Sequence, residues 1–173
     1  MRKTLLDRFR VSDDEMMVGF TVDIGGTEHL TAGFKDLRTN QFLPHKLESV
    51  GQLEFGEHNT VYYTQCDEFN RPYKVQRLDL GSGQDTCIFT DANPTHYIDL
   101  NVTKDKRFLI INSATKEESE VWVLERSSAT EQTTPVKLLE RRAGVTAHLD
   151  HLNDFFVTIT NADSSKAVKI QTL

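Results

Sequence analysis

A β-rich unit recurs along this chain about every 44 to 47 residues, with the same internal order of strands and turns. The run Val61-Tyr62-Tyr63-Thr64-Gln65-Cys66 follows the polar turn 56–59 and precedes the loop 67–72. It returns 47 residues on as 108–113 behind the turn 103–106, and 47 residues further as 155–160 behind the turn 152–154. Stepping back by about 44 gives 18–23 behind the turn 12–15, and a companion strand follows each copy at 29–34, 73–80, 120–125 and 166–171. A period of roughly 40 to 50 residues with about four short strands per unit is the mark of a β-propeller, whose blades are four-stranded sheets.

The second unit shows four candidate strands at 52–55, 61–66, 73–80 and 86–90, and the third matches with 96–102, 108–113, 120–125 and 136–140. A β-sandwich would explain the local strands and turns, but it gives no reason for the long-range period. The reading is therefore all-β, a partial β-propeller, with blades over 1–48, 49–94 and 95–142 and an incomplete one over 143–173. The aromatics Phe20, Tyr62, Phe108 and Phe155, together with Trp122, are expected to pack blade against blade. A blade cannot bury both faces alone. The expectation is thus a segment of a longer protein, whose open edges would favour self-association.

A formal net charge of -6 and interspersed Lys and Glu describe a surface without a long run of one sign. Lys104, Lys106 and Arg107 form a small basic cluster, but at a turn, so no nucleic-acid partner is expected. No apolar stretch approaches the roughly 18 residues of a membrane span. The start, Met1 to Leu6 followed by Asp7 and Arg8, lacks the apolar centre of a signal peptide. A cytoplasmic location is the corresponding expectation, with Cys66 and Cys87 reduced and packed as small hydrophobes rather than bridged. Asn101-Val102-Thr103 fits the glycosylation sequon and is read as silent in that setting.

Chemistry-bearing constellations are sparse. A serine hydrolase of the α/β type needs a G-x-S-x-G elbow between strand and helix; Gly81-Ser82-Gly83 is the nearest approach and reads as a hairpin turn. His148 and His151 lie three apart, which on a strand sends the rings to opposite faces, and no second cluster completes a metal site. Asp23-Ile24-Gly25-Gly26-Thr27 reads as a hairpin turn rather than a phosphate loop, because a strand follows where a helix should. No catalytic residue, metal or cofactor is expected. The loop 67–72 stands out: Asp67, Glu68 and Arg71 before Pro72 suggest a clamp in which the guanidinium pairs with a nearby carboxylate.

Asp23 to Glu28 with Phe34-Lys35-Asp36-Leu37 resembles the first blades of the prolyl oligopeptidase family, especially its oligopeptidase B and prolyl-endopeptidase-like branches. Three further stretches carry the same resemblance: Tyr62-Tyr63-Thr64 with Asp67, Glu68, Arg71 and Pro72; Arg77-Leu78-Asp79-Leu80-Gly81; and 104–109 with Ser119-Glu120-Val121-Trp122. The resemblance implies about three and a half blades of a seven-bladed propeller, joined in the complete protein to an α/β-hydrolase domain with a Ser-Asp-His triad. It implies that the propeller admits peptides to the serine peptidase site and does no bond chemistry itself. That hydrolase domain is expected to be absent from this chain, so no triad residue is assigned. By motif position, Glu28 is the candidate for an acidic contact to the hydrolase domain. A stand-alone propeller acting as a protein-interaction scaffold is the competing function, though no recurrent Trp-Asp or double-glycine signature supports it.

Overall fold

The computed structural model describes residues 4–127, 133–162 and 168–172, and every regular element among them is a β-strand. The chain divides into two compact units, Met1–Thr90 and Asp91–Leu173. In the first unit, β1 (Thr4–Val11), β2 (Met17–Ile24), β3 (Leu30–Asp36) and β4 (Gln41–Glu48) form one antiparallel meander. A second follows, made of β5 (Val50–Phe55), β6 (Thr60–Cys66), β7 (Pro72–Asp79) and β8 (Asp85–Thr90).

In the second unit, β9 (Tyr97–Val102), β10 (Phe108–Ala114), β11 (Ser119–Glu125) and β12 (Val136–Leu139) form the third sheet. The fourth sheet has three described strands, β13 (Ala147–Leu152), β14 (Phe155–Thr160) and β15 (Val168–Thr172). The partial propeller read from the repeat is the architecture observed. Of the fourth companion strand expected at 166–171, residues 166 and 167 lie outside the described residues, as do Met1, Arg2 and Lys3 of the signal-peptide reading.

The repeat is physical as well as numerical. At the β1–β2 turn Ser12 Oγ donates to Asp14 Oδ1 at 2.6 Å and accepts from the Met17 N–H at 2.9 Å. At the β9–β10 turn Thr103 Oγ1 donates to Asp105 Oδ1 at 2.7 Å and accepts from the Phe108 N–H at 3.1 Å. Each turn also puts one residue, Glu15 or Lys106, in the left-handed region, at φ 59 and 64. A side chain that caps its own turn in this way fixes the register of the hairpin it closes.

Burial alternates along β2 and β14, as strands packed mainly on one face require, whereas β6 and β10 are buried on both faces over five consecutive residues. Gly19, Tyr62, Leu109 and Phe156 are buried at one position of the repeat, and Thr21, Thr64, Ile111 and Thr158 two residues on. The expectation that Phe20, Tyr62, Phe108 and Phe155 pack blade against blade agrees with Tyr62, which is fully buried, and with Phe108, whose ring lies 4.9 Å from that of Phe156 in the next sheet. It is corrected for Phe20 and Phe155. Phe155 is 41% exposed, Phe20 and Phe108 are half-buried, and the buried neighbours sit one residue away. A shift of one residue on a strand moves a side chain to the other face. Trp122 likewise lies half-buried, its indole N–H donating to Glu120 and Lys137 standing over its ring.

Where the other sheets carry Tyr62, Leu109 and Phe156, the first carries Gly19. A Cβ there would come within 3.0 Å of Leu53 Cδ1 and 3.2 Å of the Phe34 ring. The missing side chain lets Leu53 of β5 into the seam between the first two sheets, which also holds Met17, Phe34, Val50, Phe55, Val61 and Leu78. Cys66 on β6 and Cys87 on β8 are separated by β7, and both thiols are free. Burial pushes the Cys66 thiol up to about 11, with the Asp67 carboxylate adding to it.

Candidate functional site

The loops that join the second and third strands are organised by an acceptor at their first position. In the β2–β3 turn Asp23 accepts from the backbone N–H groups of Gly26 and Thr27 through Oδ1, at 3.1 and 3.0 Å, and of Glu28 through Oδ2, at 3.1 Å. In the β6–β7 loop Asp67 Oδ1 accepts from the N–H groups of Phe69 and Arg71, each at 3.0 Å. In the β10–β11 turn Thr115 Oγ1 plays the same part toward Glu117 and Glu118. Asp67 is therefore the counterpart of Asp23, one repeat later.

The three residues singled out in the loop 67–72 do not act together. Arg71 Nε donates to Asp67 Oδ2 at 2.8 Å, with the two side chains only 12% and 22% exposed, and the guanidinium also lies over the Tyr73 ring at 5.5 Å. Glu68 is exposed on the outer side of the loop. Burial opposes ionisation of Asp67, but the Arg71 N–H, the Arg71 guanidinium and the Phe69 N–H outweigh it and hold the carboxyl below the ordinary aspartate range. Glu28 sits in the β2–β3 turn with a φ of 63 and an exposed side chain. Its backbone is held by Asp23, which leaves the carboxylate presented to solvent.

A second polar assembly, which sequence reasoning missed, lies in the second unit. Asp91 accepts a short hydrogen bond from Ser113 Oγ and a 2.9 Å contact from His96 Nδ1 on the same oxygen. Arg141 Nη2 donates to Ser113 O at 2.9 Å and to Ser113 Oγ at 2.8 Å, and stands 3.6 Å from Asp91 Oδ2. Burial of Asp91 opposes its charge, and Ser113, the Asn93 N–H and His96 overcome it, so its carboxyl is held low.

Serine, histidine and aspartate thus meet here, but their wiring is not that of a hydrolase. A nucleophilic serine gives its proton to the imidazole, which the carboxylate orients from behind. Here Ser113 gives its proton directly to the carboxylate, and His96 faces that same carboxylate with Nδ1 and Asn93 with Nε2 at 3.1 Å. Ser113 is fully buried. The assembly ties the segment 91–96 to β10 and to Arg141 beyond β12. The signal available in the sequence was Asp91, Asn93, Pro94 and His96 crowded before a strand; its partners, 22 and 28 residues apart, were not readable from spacing.

Ser82 lies in the β7–β8 turn, where its N–H and Oγ both donate to Asp79. His148 is exposed on β13, whereas His151 is buried with Nδ1 2.5 Å from Asp105 Oδ2. No group of three or more metal-binding side chains occurs among the described residues, and no helix there is long and apolar enough to cross a membrane.

A family model described as the prolyl oligopeptidase N-terminal beta-propeller domain matches residues 2–172. The chain belongs to the prolyl oligopeptidase family. Among curated relatives of this family propeller, Protease 2 of Moraxella lacunata is 27% identical over 161 residues, covering 88% of this chain and 23% of its own length. Prolyl endopeptidase-like of Homo sapiens is 26% identical over 170 residues, covering 95% of this chain and 23% of its own. The chain therefore spans about a quarter of the length of the relatives it matches. Among solved structures, oligopeptidase B from Leishmania major superposes with a TM-score of 0.90 at 24% identity, over 98% of this chain and 25% of that one. That likeness establishes the fold, and it agrees with the family propeller seen here.

Proposed function

We propose that this chain is the non-catalytic propeller segment of a serine oligopeptidase, and that in the complete protein it gates the access of peptides to an α/β-hydrolase site on the same polypeptide. The observation that carries this reading is the Ser113, Asp91 and His96 assembly. The Ser, His and Asp side chains that meet here, among the described residues, are largely buried and wired as a lock, within a chain that matches the family propeller over residues 2–172. In this reading Glu28 offers its exposed carboxylate to a cation of the hydrolase domain, and the two free thiols belong to a reducing cytoplasm. Sheet edges left open in the isolated chain drive self-association.

The purified chain is assayed against fluorogenic peptides with basic and with prolyl residues before the scissile bond. No turnover is expected. Turnover that persists through repeated purification and is insensitive to serine-hydrolase inhibitors would overturn the reading, because it would require a catalytic site within these residues.

A further inference from the structure

Between the third and fourth sheets, within the second unit, lies a cavity of about 290 Å3. That is close to the roughly 300 Å3 at which small-molecule sites begin. One wall is aliphatic, made by Leu138 and Leu139 of β12 with Val145 and Ala147. Facing the same space is Thr158 of β14, which is 3% exposed and whose Oγ1 has no hydrogen-bond partner among the described residues.

The repeat shows why this hydroxyl is unusual. Thr21 and Thr64 occupy the same position in their own sheets, and both are satisfied: Thr21 Oγ1 donates to Asp7 at 3.0 Å, and Thr64 Oγ1 accepts from the Gln52 N–H at 2.8 Å. Thr158 is opposite Leu149 on β13, which offers no such partner side chain. A buried hydroxyl without a partner is costly, and this one opens onto a space that a ligand can fill. Two charged side chains line the same cavity, Glu140 and Arg142. Arg142 is exposed and makes no ion pair among the described residues, while Glu140 only approaches Lys137, at 3.8 Å.

We propose that this cavity binds a free aliphatic amino acid of the size of valine or leucine. The guanidinium of Arg142 takes the carboxylate, Glu140 takes the ammonium, and the branched side chain lies on Leu138, Leu139 and Val145. Thr158 gives the polar end a hydrogen bond from the buried wall. One cation and one anion beside an aliphatic wall match a zwitterion. The Ser119 and Thr160 hydroxyls that also line the cavity are engaged with the Ala147 and Thr146 backbone, so a phosphate would meet a carboxylate and too few donors.

Calorimetric titration of the 173-residue chain tests this with L-leucine, N-acetyl-leucine and leucinamide. Leucine binds with millimolar affinity, and each blocked form, lacking one charge, binds about fivefold or more weakly. Thr158→Val keeps the shape and removes only an unpartnered hydroxyl, so its unfolding midpoint is unchanged or higher while leucine affinity falls about fivefold. Arg142→Gln, at an exposed position, gives a similar loss and stands in if Thr158→Val fails to fold. Absence of any leucine signal would mean that the cavity holds water alone. That result overturns the proposal, as do blocked leucines that bind as tightly as leucine itself, or leucine affinity unchanged in both variants.

Discussion

The seam between the first and second sheets and the seam between the third and fourth solve the same packing problem with different chemistry. In the first unit the seam is aliphatic and aromatic: Ala32, Phe34, Val50, Leu53, Val61 and Leu78 are at most 2% exposed, and Leu43 and Leu47 pack against them. Its polar contacts, Arg10 Nε to Glu54 at 2.8 Å and His45 Nε2 to Leu80 O at 2.9 Å, lie beside a continuous apolar layer. In the second unit, among the described residues, Ile110, Val121, Val123 and Phe156 are buried at the seam, and Phe108, Leu138, Leu139 and Leu149 pack against them. There the hairpin turn 103–108 is stitched to the fourth sheet by polar contacts. His151 reaches Asp105, Asp150 accepts from the Lys104 N–H at 2.9 Å, and Asn153 O accepts from Arg107 at 3.2 Å. The His151 ring meets Phe108 and Phe156 at centroid distances of 4.7 and 4.5 Å, so its contact with Asp105 is set beside an aromatic cluster. One repeat can therefore be joined to the next by area or by charge, provided the strand register is kept.

The largest effect is expected where area does the joining. Phe34→Ala removes a fully buried ring from the first seam and should lower stability by about 3 to 5 kcal/mol, read as a fall in the denaturant midpoint of the first unit. A loss under about 1 kcal/mol would mean that the seam does not depend on this packing.

Next comes the charged seam. Asp105→Asn should cost about 1 to 3 kcal/mol, because His151 stays buried without its carboxylate. The effect depends on pH with a definite sign. Burial of Asp105 opposes its charge, but the Thr103 hydroxyl, His151 and the Arg107 N–H prevail, so its folded value lies below 3.8. A carboxyl depressed in the folded state stabilises fully above its unfolded value, and that contribution is lost as pH falls through the folded one. Wild type and Asp105→Asn should therefore differ at neutral pH and converge in acid. A difference independent of pH would separate the effect from ionisation.

Smaller still, Arg71→Ala removes the side chain that closes the 67–72 loop and should cost about 1 kcal/mol, since the pair is partly sheltered and Asp67 keeps its backbone donors. An unchanged midpoint would leave the loop to those backbone bonds alone. Glu28→Gln is expected to leave the isolated chain's unfolding unchanged, because its carboxylate is exposed and the turn is held by Asp23. On the function proposed above, the same change in the full-length protein should alter kcat/KM for peptides. Equal kinetics in both proteins would remove Glu28 from the interdomain contact.

What could be read in advance follows from the range of each interaction. The second strand of every sheet was legible because its apolar run returns four times with a capped turn before it, as at Ser12 and Thr103. The strands β1 and β4 were not, because both are exposed along most of their length and show no buried alternation to recognise. Arg71 and Asp67 were legible as partners four residues apart. Asp91 with Ser113 and Arg141, and Asp105 with His151, are brought together only by strand pairing and sheet contact, over separations of 22 to 50 residues. The chemistry of the second seam was therefore hidden in a sequence whose repeat was plain.

Hydrogen exchange resolved strand by strand, at neutral pH and again well below 3.8, tests the contrast between the two seams most directly. Acid should release amides of β10, β13 and β14 while those of β5 and β6 keep most of their protection. Equal loss in both sets of strands, or earlier loss in β5 and β6, would contradict the account that the first seam is held by apolar area and the second by charge.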